Sequence, residues 1–174
     1  MRPAFFVFLS FVLSIGSAGV LASPPDTTRS TTAHETKDFE GTWECKTSHT
    51  EATPRGDMTM TQVDVSSHNA DGTASGAGSL RIKTSDMDAK WTFKGSGTWR
   101  LSGGEICGTV TELTMEPAND DARQVEKKAG KSMSESIPLG KESCKEILEK
   151  TKRSYAVLHK QGKVRTRCKL KDAK

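Results

Sequence analysis

Four cysteines carry the clearest chemistry in the sequence: Cys45, Cys107, Cys144 and Cys168. Zinc-binding cysteines usually occur in pairs separated by a few residues, and no two of these lie close together. An even number of widely spaced cysteines in a chain with an export signal is instead typical of disulfides, and four cysteines allow three pairings. The cysteines therefore predict two disulfides and no metal site.

The other candidates for catalysis are dispersed. The four histidines lie far apart in the sequence: His34, His49, His68 and His159. None of them begins a metal-binding or nucleophile motif. The aspartates of SDMDAK and ANDDAR, which are Asp86, Asp88, Asp120 and Asp121, lack the ordered ligand series of a calcium loop. We therefore predict no catalytic residue, no metal, no cofactor and no enzyme activity.

The N-terminal residues are typical of export. A positive charge at Arg2 precedes an apolar run and a group of small residues that ends at Ala22, which predicts a signal peptide over 1–22. Residues 23–38 are polar and rich in Thr and Pro, which predicts a flexible leader. The remaining residues, 39–174, have the length of one domain. We expect a secreted or periplasmic bacterial protein.

Basic residues are concentrated near the C-terminus. From Lys141 onward there are 12 Lys or Arg and 4 Asp or Glu, a net charge of +8, whereas residues 1–140 carry 14 and 18, a net charge of −4. Such a region is compatible with an anionic partner, although an ordinary solvated face explains it equally well. Nucleic acid is not expected, because Tyr155 is the single aromatic residue there and bases have no stacking platform.

Short alternating strands dominate the first two thirds of the mature chain. In FEGTWECKTS, Phe39, Trp43 and Cys45 share one face and charged residues share the other. DMTMTQVDVSS follows, and Asp71-Gly72 predicts a hairpin turn before GSLRIKT. The stretch AKWTFKGSGTWRLSGGEICGTVTELTM predicts three strands, separated at residues 95–97 and 102–104.

The last third is interpreted as a loop, a helix and two strands. Residues 116–140 are polar and without a period, which predicts a long loop. GKESCKEILEKTK contains strong helix formers and predicts a short helix. RSYAVLHK and KVRTRCKL predict two final strands, joined by a turn at Gln161-Gly162.

These elements predict a mainly β fold: a monomeric, closed, antiparallel up-and-down barrel of about eight strands, with one short helix before the last two strands. Alternation places Cys45 on the inner face of the first strand and Cys168 on the inner face of the last. Closure of the barrel brings those two strands together. We therefore predict the disulfides Cys45–Cys168 and Cys107–Cys144.

Two short motifs carry a resemblance. Gly41 and Trp43 on the first strand, with Arg165 or Arg167 on the last, resemble the lipocalin and calycin barrels. The resemblance implies that Trp43 plugs the closed end of the barrel and that one arginine packs over its ring. The second Gly-Thr-Trp, residues 97–99, resembles the repeated strand motif of avidin-type barrels.

A barrel of this size either fills its interior with side chains or holds one small ligand. We hypothesise a lipocalin-like protein that binds a small apolar or amphipathic ligand without catalysis, lined by Trp91, Phe93 and Trp99. Burial of the tryptophans as ordinary core residues is the competing interpretation. The alternative function is a protein-interaction module, such as an inhibitor, an immunity-type protein or a virulence-associated secreted factor, that engages an exported partner through the 116–140 loop.

Overall fold

The computed structural model describes residues 34–54, 56–159 and 164–171. The predicted signal peptide, residues 23–33 of the predicted leader and the predicted turn at Gln161-Gly162 lie outside these residues. The end of the leader is described, and it contains a short 3-10 turn, Thr36–Asp38, closed by a capping box between Glu35 and Asp38.

Eight antiparallel strands form a closed up-and-down barrel, in which each strand pairs with the next and the last pairs with the first. The predicted fold class is confirmed. The strands are β1 (Gly41–Thr53), β2 (Gly56–His68), β3 (Thr73–Lys83), β4 (Asp88–Ser102), β5 (Glu105–Pro117), β6 (Glu142–Lys150), β7 (Ser154–His159) and β8 (Val164–Leu170). One helix, α1 (Asp120–Ala129), precedes the last three strands. No helix within the described ranges is long and apolar enough to span a bilayer.

Three local predictions are wrong. Residues 88–102 form one strand, β4, and not two. The segment predicted as a helix is β6, because pairing with β5 and β7 outweighs the helix propensity of its Glu, Lys and Leu residues. The predicted 116–140 loop contains α1, whose start and end signals are present in the sequence. Asn119 caps the first turn by accepting a hydrogen bond from the Ala122 amide, and Gly130 ends the helix in a left-handed conformation.

The barrel is built from two unequal sets of strands. β1 to β5 are long and pair along most of their length, whereas β6 to β8 are short. Two short ladders join the sets: β1 pairs with β8 only from Trp43 to Thr47, and β5 pairs with β6 only from Glu105 to Thr109. We call these ladders the β1–β8 seam and the β5–β6 seam.

Each seam contains one disulfide. Cys45 pairs with Cys168 across the first and Cys107 pairs with Cys144 across the second, so the predicted pairing is confirmed. The sequence separations are 123 and 37 residues. On the chain-entropy model, loops of these lengths stabilise the fold by about 5 and about 4 kcal/mol.

The apolar core is divided between the two ends of the barrel. The Trp43 cluster lies where β1 begins and consists of Phe39, Trp43, Cys45, Trp99, Ile106, Tyr155, Val157 and Cys168. The Trp91 cluster lies at the other end and consists of Leu80, Ile82, Ala89, Trp91, Met115, Ala122 and Met133. Because Ala122 belongs to α1, the helix packs across the inner face of β3, β4 and β5 and covers this end of the barrel.

Two glycines allow neighbouring strands to approach closely. A Cβ atom at Gly78 would lie 2.7 Å from the Cα of Asp64, and one at Gly97 would lie 2.0 Å from the carbonyl oxygen of Thr109. Gly97 also marks the register shift between β4 and β5, where the sheet bends. The glycines of the two Gly-Thr-Trp motifs therefore have different roles. Gly41 adopts a φ of 112°, which side chains disfavour, whereas Gly97 lies too close to the β5 backbone for a Cβ atom.

We expect Gly97→Ala to lower the free energy of unfolding by about 1–3 kcal/mol or more, because the added methyl group overlaps backbone atoms that cannot move independently. Gly108→Ala is the matched control on β5, since its nearest neighbour would be the Thr98 oxygen at 3.5 Å, an ordinary contact. Urea unfolding of both variants measures the difference. Equal stability of the two variants would contradict the close approach of β4 and β5 at Gly97.

Candidate binding site in the barrel interior

A set of polar side chains lies between the two apolar clusters. On β2, Asp64 pairs with Cys45 of the Trp43 cluster, and Gln62 pairs with Leu80 of the Trp91 cluster. On β6, Lys145 pairs with Ile106, which belongs to the Trp43 cluster and faces inward. Tyr155 and His159 share the inner face of β7. We call these five residues the interior polar site: Gln62, Asp64, Lys145, Tyr155 and His159.

The carboxylate of the site is held by an amide. Gln62 donates a hydrogen bond from Nε2 to Oδ1 of Asp64 at 3.0 Å. Burial raises the pKa of Asp64, while the hydrogen bond from Gln62 and the positive charge of Lys145 act in the opposite direction. Asp64 is therefore protonated more readily than an exposed aspartate.

Lys145 has an unusual environment for a lysine. Its side chain forms no hydrogen bond and no ion pair with any residue in the described part of the chain. Burial lowers its pKa, and the negative charge of Asp64 opposes this effect. The Lys145 ammonium group therefore faces the interior without a direct protein partner to stabilise its charge.

His159 and Tyr155 complete the electrostatic set. The hydroxyl group of Thr166 lies 3.4 Å from Nε2 of His159 and 2.7 Å from the hydroxyl group of Thr47. Burial, followed by the charge of Lys145, lowers the pKa of His159 to about 4. Burial and the charge of Asp64 raise the pKa of Tyr155. At neutral pH both rings are uncharged.

Four residues of the interior polar site are more exposed than the clusters on either side. Residues of the two clusters are at most 9 % exposed. Gln62, Asp64, Lys145 and His159 point into the barrel and are nevertheless only partly buried. Solvent therefore reaches part of these four residues.

A second concave region lies outside the barrel. It is a shallow groove on the outer face of β2 to β5, lined in part by Val65, Ala77, Lys94 and Thr114, and it is open to solvent. Small-molecule sites usually enclose most of the surface of their ligand. The interior is therefore the better candidate for a small molecule.

The three residues predicted to line a ligand site are divided between the two clusters. Trp91 is fully buried, and its indole Nε1 donates to Glu126 of α1 at 3.1 Å. Phe93 packs against the same Trp91 cluster and is partly buried. Trp99 lies in the Trp43 cluster, where it donates to the Asn69 carbonyl. Both tryptophans therefore act as core residues, and only Phe93 retains exposed surface on the inner wall.

The prediction that Arg165 or Arg167 packs over the Trp43 ring is wrong, because the cation there is Lys150. Trp43 is 1 % exposed and its ring lies 5.3 Å from the ammonium group of Lys150, which also lies 5.3 Å from the Phe39 ring. Arg165 and Arg167 are on the outer face of β8, where Arg165 forms an ion pair with Glu149. The physical reason is a bulge in β6 after Ile147, which turns Lys150 to the inner face.

The basic C-terminal region is also divided by the fold. Lys145 and Lys150 point inward, so they do not add to a single basic surface. Of the four aspartates considered above as calcium ligands, Asp88 pairs with Arg81 at 2.6 Å and Asp120 pairs with Arg123 at 2.6 Å. These aspartates have protein cations as partners.

Sequence reasoning missed Asp64 and Lys145. Lys145 fell within the predicted helix, where it would be an ordinary solvated residue. The signal that identifies it is the strand alternation of Ser143, Lys145 and Ile147, because these three residues share the inner face of β6. Asp64 shares an inner face with Met60 in the same way, as a charged residue on an otherwise apolar side of β2.

No protein-family model matches the chain, and no curated protein is significantly similar to it in sequence.

We expect the imidazole of His159 to titrate near 4 in the folded protein, below the ordinary value of 6.5. Because the unfolded chain binds this proton at a higher pH, acidification from about 6.5 towards 4 lowers this residue's contribution to the free energy of unfolding. The raised pKa of Asp64 acts in the opposite direction, so the direct measurement is an NMR titration of the ring protons, with His159→Asn to assign the signal. A His159 signal that titrates at 6.5 would show that the ring is solvated and would contradict its place in the interior.

Proposed function

We propose that the protein is a secreted or periplasmic carrier that holds one small amphipathic ligand inside its barrel. The observation that carries this proposal is the inward-facing, partly exposed interior polar site between two buried apolar clusters. A ligand with one polar end and one apolar end fits such a boundary, because each end then contacts groups of its own polarity.

The apolar end of the ligand would lie towards the Trp91 cluster. Met58, Met60, Phe93 and Leu113 are partly buried on the inner wall there. Methionine side chains are flexible and adapt to ligands of different shapes. This lining suits a ligand with an apolar hydrocarbon group and does not define the shape of that group.

Entry of a ligand would require movement of α1. The helix is held over its end of the barrel by Asn119, whose side-chain amide donates to the Asp88 carbonyl at 2.6 Å, and by the Glu126 carboxylate, which accepts hydrogen bonds from Trp91 and from the Met133 amide. These contacts join one short helix to one edge of the barrel. We expect α1 to move without loss of the strand ladders.

Two other features support export and a carrier role. Two disulfides suit an oxidising compartment, and the sequence of residues 1–22 is typical of a signal peptide. The resemblance to lipocalin and calycin barrels supports the same function, since Trp43 lies buried where the first strand begins.

A specific observation also favours the rival, a module that binds an exported protein. Leu139 is 49 % exposed and Val110 is 38 % exposed, and the Gly140 amide donates to the Val110 carbonyl, which places them side by side. Exposed apolar neighbours on a rigid barrel are a common feature of protein contacts. Leu139 lies within the 116–140 segment to which the sequence analysis assigned this role, and Val110 lies beside it on β5.

The test is a titration with Nile red, an uncharged apolar dye, and its displacement by 1-octanol. We expect saturable binding that Phe93→Ala weakens at least about tenfold, because the lost aromatic surface faces the ligand. Thr92→Ala is the matched control, since Thr92 is exposed on the outer face of the same strand.

Native mass spectrometry of the protein from its own host complements the titration and would reveal a retained small molecule. Absence of saturable dye binding, or equal loss in both variants, would contradict the carrier. Loss of partner capture by Leu139→Ser, in a protein that binds no dye, would support the rival.

A further inference from the structure

We propose that Lys145 is a nucleophile that captures a small aldehyde inside the barrel as an imine. The inference rests on the proposed function, because the aldehyde must reach the same interior site. It assigns a reactive group to that site and a chemical class to its ligand.

The position of Lys145 sets it apart from other lysines. Lys90 forms an ion pair with Asp88, and Lys150 lies over two aromatic rings. Lys145 has neither kind of partner among the residues that the structure describes, although its side chain is enclosed by the barrel. Its amine is therefore available to a molecule that enters the interior.

The surroundings of Lys145 favour the neutral amine. Burial penalises the ammonium form, and Asp64, the opposite charge that acts on it, is not within ion-pair distance. The neutral amine has the lone pair that attacks a carbonyl carbon, and desolvated lysines are the usual amines in this chemistry.

Asp64 supplies the proton transfers that imine formation needs. It lies on β2, in the opposite set of strands, and its raised pKa favours the carboxylic acid. Gln62 holds one of its oxygens and orients the group. An amine and a carboxyl group that face the same barrel interior provide the nucleophile and the general acid of this reaction.

The reaction balances without a further reagent. The Lys145 nitrogen forms a bond to the aldehyde carbon, and the carbonyl oxygen takes up the proton that the nitrogen loses, which gives a carbinolamine. Asp64 then donates a proton to the hydroxyl group, the carbon–oxygen bond breaks and water leaves. The remaining proton on nitrogen returns to the Asp64 carboxylate, so one aldehyde and one amine give one imine and one water.

The wall beside Lys145 selects the rest of the aldehyde. Its hydrocarbon part would lie against Met60, Leu80 and Phe93, in the direction of the Trp91 cluster. The expected class is therefore an aldehyde with an apolar hydrocarbon part.

The experiment exposes the disulfide-intact protein to octanal with sodium cyanoborohydride, which reduces an imine to a stable secondary amine. We expect one octyl group per chain, located by peptide mapping at Lys145, and labelling at least about tenfold faster there than at the exposed Lys94 of β4. An excess of 1-octanol should slow the labelling of Lys145 and leave that of Lys94 unchanged.

Two variants separate the reactive role from simple binding. Lys145→Arg keeps a cation but cannot form an imine, so it should abolish the fast labelling and leave the labelling of Lys94 unchanged. Asp64→Asn should slow the labelling of Lys145 by about tenfold or more and leave that of Lys94 unchanged, because it removes the proton donor.

The outcomes distinguish the two proposals. If 1-octanol does not bind, the proposed function fails. If 1-octanol binds and Lys145 is labelled no faster than Lys94, the reactive lysine is overturned and the carrier stands. Tight binding of octanoate without capture of octanal would also overturn it, since Lys145 would then be a cation that holds an anionic head group.

Discussion

Closure of the barrel depends on two short ladders, and each of them is crossed by a disulfide. The five long strands form one strongly bent sheet through extensive pairing, and close approaches at Gly78 and Gly97 allow the bend. The three short strands attach to this sheet through the β1–β8 and β5–β6 seams alone. Each ladder is short and has few backbone hydrogen bonds. The disulfides Cys45–Cys168 and Cys107–Cys144 therefore hold the paired strands together more firmly than the ladders alone would.

The interior polar site is a consequence of that closure. Gln62 and Asp64 come from the long strands, while Lys145 and His159 come from the short ones, so the site exists only when both seams are formed. The clusters at the two ends enclose it. Burial raises the pKa of Asp64 and lowers that of Lys145, which favours the neutral form of each group. A structural requirement, a barrel closed at two places, thus produces a chemical environment that no exposed pair of these residues would have.

Local signals in the sequence were sufficient for the framework. Alternation in the first and last strands predicted the meeting of Cys45 and Cys168, and Asp71-Gly72 predicted the turn between β2 and β3. They were insufficient where tertiary pairing overrides propensity, as in β6, whose helix-forming residues concealed the inward position of Lys145. The inward position of Lys150 could not be predicted, because it depends on a β-bulge that the residue types of β6 do not indicate.

The measurement that tests this account most directly is hydrogen exchange of backbone amides before and after reduction of both disulfides. If closure depends on the disulfide-linked seams, reduction should accelerate exchange first in residues 43–47 and 105–109 and in β6 to β8. The amides that form the ladders between β2, β3 and β4 should stay protected. Unchanged protection at both seams after reduction would show that the ladders close the barrel without their covalent links, and would contradict the account.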